Sequence, residues 1–172
     1  MNKHKKLSIQ LRRSAILIKT MPNTYSQLYI QIVFAVKGRQ SLIKEEFRDE
    51  FQKYISGIIK EKKQKLYAIY CMPDHTHILV SIKPDISISD LVRDIKANSS
   101  SFIKEKDFVK NFSWQTGFGA FSYSKSQALN VVDYILNQPE HHAKKTFKQE
   151  FLEFLQKFEI EYNNEYLFEF YD

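Results

Sequence analysis

Apolar and polar residues alternate from Gln27 to Val36, with Leu28, Ile30, Ile32, Phe34 and Val36 on one side, which predicts a half-buried strand. The spacing then changes. Over 44–62 the apolar positions Phe47, Phe51, Tyr54, Ile55, Ile58 and Ile59 recur at helical intervals. Glu45 and Glu46 suit the start of that helix dipole, and Lys60, Lys62 and Lys63 suit its end. Leu66–Cys71 and His75–Ile82 read as two strands joined through Met72-Pro73-Asp74, an antiparallel hairpin. Ser87-Ile-Ser-Asp90 is a capping signal for a second helix whose buried face is Ile88, Leu91, Val92, Ile95, Phe102 and Ile103. The stretch Trp114–Ser122 leads into a short fourth strand, its glycines permitting close backbone approach. Ser124-Lys-Ser-Gln127 opens a third helix expected to run to about Gln138, where Pro139 stops it, with Leu129, Val132 and Leu136 opposite Tyr134 and Gln138. Thr146-Phe-Lys-Gln149 opens a last helix with Phe151, Leu152, Phe154, Leu155 and Phe158 as its apolar side.

The order β-α-β-β-α-β followed by helices predicts an α+β, ferredoxin-like split βαβ fold. It comprises a four-stranded antiparallel sheet with helices, plus a C-terminal helix bearing Tyr134. Residues 21–172 are expected to form one domain, and residues 1–20 a basic leader outside it. That leader holds all of the charge excess. Apart from its six lysines and arginines, the +6 chain has 20 basic and 20 acidic residues, so global charge says little about nucleic acid. The single cysteine, Cys71, excludes a disulfide framework and reads as a buried strand residue. No apolar run reaches bilayer length and the leader lacks a secretory core, so a cytoplasmic protein without membrane contact is expected.

Chemistry enters at His75-Thr-His77. On a strand the two imidazoles share a face while Thr76, Ile78, Val80 and Ile82 share the other, and two imidazoles so placed can converge on one divalent metal. Alone, that pattern is more often solvent-facing polar surface than a metal site, and an isolated Tyr134-x-x-x-Gln138 is more often a docking face. Together they suggest a site. Gln138 offers a carbonyl oxygen to a hard cation and Tyr134 a phenolic nucleophile beside it. Attack on a phosphodiester would leave a 5′-phosphotyrosine and a free 3′-OH, and the step reverses on another 3′-OH. The tyrosine must lose its proton to a base that the sequence does not identify.

These residues, with Tyr29–Ala35, Met72–His77, Trp114–Ser122 and Tyr134–His142 in order, resemble the His-hydrophobic-His single-tyrosine transposases of the insertion sequence 200/605 type. Thr76 departs mildly from the hydrophobic middle position. The resemblance covers about residues 21–168. It implies Tyr134 as nucleophile and His75, His77 and Gln138 as ligands of Mg²⁺ or Mn²⁺, with no small-molecule cofactor. It also implies single-stranded DNA with subterminal hairpins as substrate, and a homodimer with composite active sites. His141 and His142 match a family pattern and stand as candidate DNA contacts. So do Arg39, Lys96, Ser99, Lys104 and Lys106 for phosphates, and Trp114 and Phe118 for stacking on bases. Two alternatives stay open: a domesticated relative that processes DNA hairpins, and a non-catalytic RNA- or single-stranded-DNA-binding module on the same sheet.

Overall fold

The computed structural model describes residues 24–39 and 41–169; the basic leader expected over 1–20 lies outside them. Four strands, β1 (Tyr29–Ala35), β2 (Lys65–Cys71), β3 (His75–Ser81) and β4 (Gly119–Tyr123), form one sheet in the order β2-β3-β1-β4. Every neighbouring pair is antiparallel. Helices α1 (Glu45–Glu61) and α2 (Ile88–Glu105) are the two crossovers, so the architecture is the split βαβ arrangement that the element order predicts.

The central strand differs from expectation in one respect. All seven residues of β1 are buried, on both faces. Ile30, Ile32 and Phe34 join Ile78 and Val80 of β3, and Ile82 just after it, in the main core under α1 and α2. The other face, with Tyr29, Val33 and Ala35, is covered by α3 (Lys125–Leu136) and α5 (Phe147–Lys157). Those helices make the strand fully interior, and Leu28, just before it, is left 46% exposed.

The third helix also departs from the pattern. It ends at Leu136; Asn137 turns away at φ −96°, ψ 24°, and a short helix α4 (Gln138–His142) restarts with Pro139 in its first turn. A proline there forfeits no helical hydrogen bond, so Pro139 begins a helix rather than stopping one. The buried side of α3 is Ala128, Val131 and Ile135, whereas Leu129 and Leu136 face solvent at 75% and 53% exposure. Helix α5 has a defined start: the Thr146 hydroxyl accepts from the Gln149 amide nitrogen, and the Gln149 side chain accepts from that of Thr146.

Candidate active site

The face of β3 opposite the main core carries His75 and His77, and the covering helices reduce them to 1% and 0% exposure. The His75 ring stacks on Phe147 of α5 with centroids 4.0 Å apart, and its Nδ1 lies 2.7 Å from the Asp74 carboxylate. A carboxylate can only accept, so Nδ1 carries the hydrogen and Nε2 keeps its lone pair. Burial pushes the His75 pKa down to about 4, against the opposing pull of Asp74, so the ring is neutral over the ordinary pH range. His77 Nδ1 lies 3.1 Å from the Gln31 amide nitrogen, and the Tyr123 hydroxyl donates to Gln31 Oε1 at 2.9 Å.

At the centre of the cluster stands Glu150, in the first turn of α5 and 2% exposed. Its Oε2 lies 3.2 Å from His77 Nε2, 3.3 Å from His142 Nε2 and 4.0 Å from His75 Nε2. Its Oε1 accepts from the Tyr134 hydroxyl and, at 3.0 Å, from Gln138 Nε2. Burial alone would raise this carboxyl, but the imidazoles of His77, His142 and His75 outweigh it and hold Glu150 below the usual carboxylate range. The start of a helix, where the dipole is positive, adds to that preference for the anion. For Tyr134 the effects run the other way. Burial, then the charge of Glu150, raises the phenol, and its ring sits 6.2 Å from that of His77. His141 Nε2 is 3.3 Å from the same hydroxyl.

Five buried atoms in this cluster have no hydrogen-bond partner: Nε2 of His75, His77 and His142, Oε2 of Glu150 and Oε1 of Gln138. Each such atom costs about 1–3 kcal/mol, so several converging at one point need a common explanation. A cation supplies one, and the donor set of imidazoles with carboxylate and amide oxygens fits a divalent metal. Beside the cluster, a cavity of about 320 Å³ is lined by Tyr134, His141 and Glu150 together with Gln31, Tyr123 and Lys157.

His75, His77, Tyr134 and Gln138 are therefore brought together. Glu150 was not singled out from the sequence, although a signal existed. It interrupts the stripe Phe147-Phe151-Phe154 on the buried side of its helix, where a lone carboxylate needs a partner. His142 points its Nε2 at Glu150, and its side chain is 11% exposed. The expected DNA contacts scatter. Trp114 and Ser99 are buried, with the indole N–H donating to the Ser99 hydroxyl at 2.9 Å, so neither offers a face to solvent. The Lys96 ammonium donates to the carbonyls of Gln115, at 2.8 Å, and Gly117. Phe118 packs partly buried against the main core. Lys104 and Lys106 are exposed at the end of α2, with Lys106 paired to Glu50 at 2.8 Å. The Arg39 side chain lies outside the described residues.

Comparison with known proteins agrees with this fold. ISDra2 transposase TnpA of Deinococcus radiodurans is 25% identical over 119 residues, spanning 65% of this chain and 84% of that one. The transposase for insertion sequence element IS200 of Salmonella typhimurium is 27% identical over 128 residues, covering 71% of this chain and 84% of the relative. Among solved structures, a D. radiodurans protein described as a candidate transposase superposes with a TM-score of 0.56 at 21% identity, over 70% of this chain and 98% of its own. The REP-associated tyrosine transposase bound to a REP hairpin superposes with 0.55 at 19% identity, over 73% and 74%. The family model described as "Transposase IS200 like" matches residues 24–138, which contain both histidines of β3, Tyr134 and Gln138. The chain belongs to the IS200-like transposase family.

Proposed function

We propose that residues 21–172 form a catalytic domain that cleaves and rejoins single-stranded DNA at the ends of a mobile element. The reaction goes through a 5′-phosphotyrosine on Tyr134, with a divalent ion, Mg²⁺ or Mn²⁺, held by His75, His77 and Gln138. The observation that carries this reading is the shared carboxylate. Glu150 accepts from the Tyr134 hydroxyl with one oxygen and turns the other toward His77.

The Tyr134 oxygen attacks phosphorus, a P–O bond to tyrosine forms, and the bond to the departing 3′ oxygen breaks. Glu150 Oε1 orients the phenol by accepting its hydrogen bond and, being too weak a base to keep the proton, passes it on to solvent as the P–O bond forms. His141, 3.3 Å away, is the other group within reach of that proton. The ion supplies charge stabilisation to the phosphate oxygens when bound. The reverse attack by a new 3′-OH regenerates the phenol, so a strand is transferred rather than hydrolysed. Hairpin-forming single strands are the substrate class that follows from membership of this family, and the REP-hairpin complex of a protein with the same fold is consistent with it. Among the described residues no helix is long and apolar enough to cross a membrane, in keeping with a cytoplasmic enzyme acting on DNA.

A homodimer with composite sites is the assembly expected from the resemblance. In the arrangement described above, Tyr134 meets the histidines of its own chain. The function is tested by covalent trapping. The protein is incubated with end-labelled single-stranded DNA from the flanks of its gene plus Mg²⁺ or Mn²⁺, then run on a denaturing gel. A labelled adduct that requires metal and vanishes in Tyr134→Phe is the expected result. Cleavage that survives in Tyr134→Phe would remove Tyr134 as the nucleophile.

A further inference from the structure

The cluster around Glu150 holds more ligand atoms than two histidines and an amide. His75, His77, His142 and Glu150 each offer one ligand atom, and these four atoms all lie within 4.8 Å of one another. Glu150 Oε2 is 3.2, 3.3 and 4.0 Å from the three nitrogens. The edge of a tetrahedron of ligands at zinc-like bond lengths is about 3.3 Å. None of these approaches has the geometry of a hydrogen bond, and the two short ones, from His77 and His142, are attractive only when the imidazole is protonated. With neutral rings the same atoms are donor atoms facing one point.

The outer side of each ring tells the same story. His75 Nδ1 is held by the Asp74 carboxylate and His142 Nδ1, at 3.0 Å, by the Lys145 carbonyl. Both partners can only accept. Both rings therefore carry their hydrogen on Nδ1 and aim a lone pair inward, as metal-bound histidines do. His77 matches them once its hydrogen moves to Nδ1 and the Gln31 amide turns its oxygen to accept it.

Resting on the reading that His75 and His77 hold the ion, we propose that His142 and Glu150 are ligands of that same ion. The resulting group of three imidazoles and one carboxylate takes the place of Gln138 in the ligand set and ranks Zn²⁺ and Co²⁺ above Mn²⁺, and Mn²⁺ above Mg²⁺. Magnesium favours oxygen ligands and retains its water, whereas imidazole suits the later metals. Both added ligands lie beyond the stretch, residues 24–138, that the family model matches. Glu150 then touches ion and nucleophile at once, one oxygen for each.

The test uses the full chain without DNA, so it reads binding and not cleavage. Chelator-treated protein is titrated with Co²⁺ while the visible absorption is recorded, and Zn²⁺ or Mg²⁺ is then added in competition. The expected result is one Co²⁺ per chain with the intense bands of a four-coordinate site, displaced by Zn²⁺ and left in place by millimolar Mg²⁺. His142→Ala and Glu150→Gln should each weaken binding at least tenfold and change the spectrum, with circular dichroism confirming the fold. His142, at the edge of the cluster, provides the variant that least disturbs packing. Unchanged Co²⁺ affinity in folded His142→Ala and Glu150→Gln, or displacement by Mg²⁺ at equal concentration, would overturn the proposal. A protein that binds Co²⁺ as expected yet forms no Tyr134 adduct with DNA would instead count against the cleavage reading.

Discussion

Gln31 offers a quantitative test of how the site is supported from beneath. It is fully buried on β1 and sits in a chain of hydrogen bonds in which the Tyr123 hydroxyl donates to Gln31 Oε1 at 2.9 Å and the Gln31 amide meets His77 Nδ1 at 3.1 Å. Burial pushes the Tyr123 phenol up to about 12, so it remains a donor throughout the working range of pH. In metal-free protein, Tyr123→Phe in the native background leaves a buried amide oxygen unpaired, at a cost of about 1–3 kcal/mol. In a Gln31→Leu background that oxygen is gone, and the same substitution should cost close to nothing. Any stability that leucine gains by apolar burial is common to both backgrounds and cancels in the cycle. The coupling between the two sites should therefore be about 1–3 kcal/mol. For a domain of this size that is roughly 2–4 °C of midpoint per kcal/mol. Urea and thermal unfolding of the four proteins measure it. Effects that add within about 0.5 kcal/mol would refute the hydrogen-bond chain. Gln31→Leu should also lower the affinity for metal by about 10–100-fold, the usual penalty for removing a partner behind a ligating histidine.

Further outcomes follow from the packing. A Cβ on Gly119 would lie 2.7 Å from the Phe151 ring and 3.0 Å from that of Phe121. Gly119→Ala should therefore cost about 1–3 kcal/mol in a chemical-denaturation curve and disturb α5, which carries Glu150; native stability in that variant would contradict the close approach. When Tyr134→Phe and His77→Ala chains are mixed, the contacts within one chain predict no recovery of the DNA adduct. Recovery would mean that α3–α5 exchange between protomers, as composite sites require. Burial raises the Cys71 thiol from its ordinary value to about 12, so its stabilising contribution is complete below the unfolded thiol's pKa and fades as pH climbs toward 12. At neutral pH it should react with thiol reagents only as fast as the chain unfolds, and rapid labelling of native protein would show the strand to be open.

The fold was legible because strands and helices here obey simple periods. Ile30, Ile32 and Phe34 declared one face of β1, and Phe47, Phe51 and Ile55 one face of α1. The second face of β1 was hidden because Tyr29, Gln31, Val33 and Ala35 read as the solvent side until α3 and α5 cover them. The orientation of α3 was misleading for a related reason. Leu129 and Leu136 look like core by hydrophobicity, while α3 buries Tyr134 partly and α4 buries Gln138 wholly because both reach the cluster around Glu150. His75, His77, Tyr134 and Gln138 could be found because their spacing is local. Glu150 and His142 could not be tied to them by spacing, since the chain folds back from α4 through the turn at Lys145 before it returns to the histidines.

The double burial of β1 has a consequence for how substitutions along it would register. Val33 pairs with His77 across the ladder and Ala35 with His75, while Ile30, Ile32 and Phe34 belong to the opposite core. A scan of every substitution along this one strand, scored for protein abundance and separately for strand transfer, should alternate with a period of two. At even-numbered positions the two scores would fall together. At odd-numbered positions activity would fall further than abundance accounts for. The strand would thus write the two faces of the protein, scaffold and chemistry, into successive letters of its own sequence.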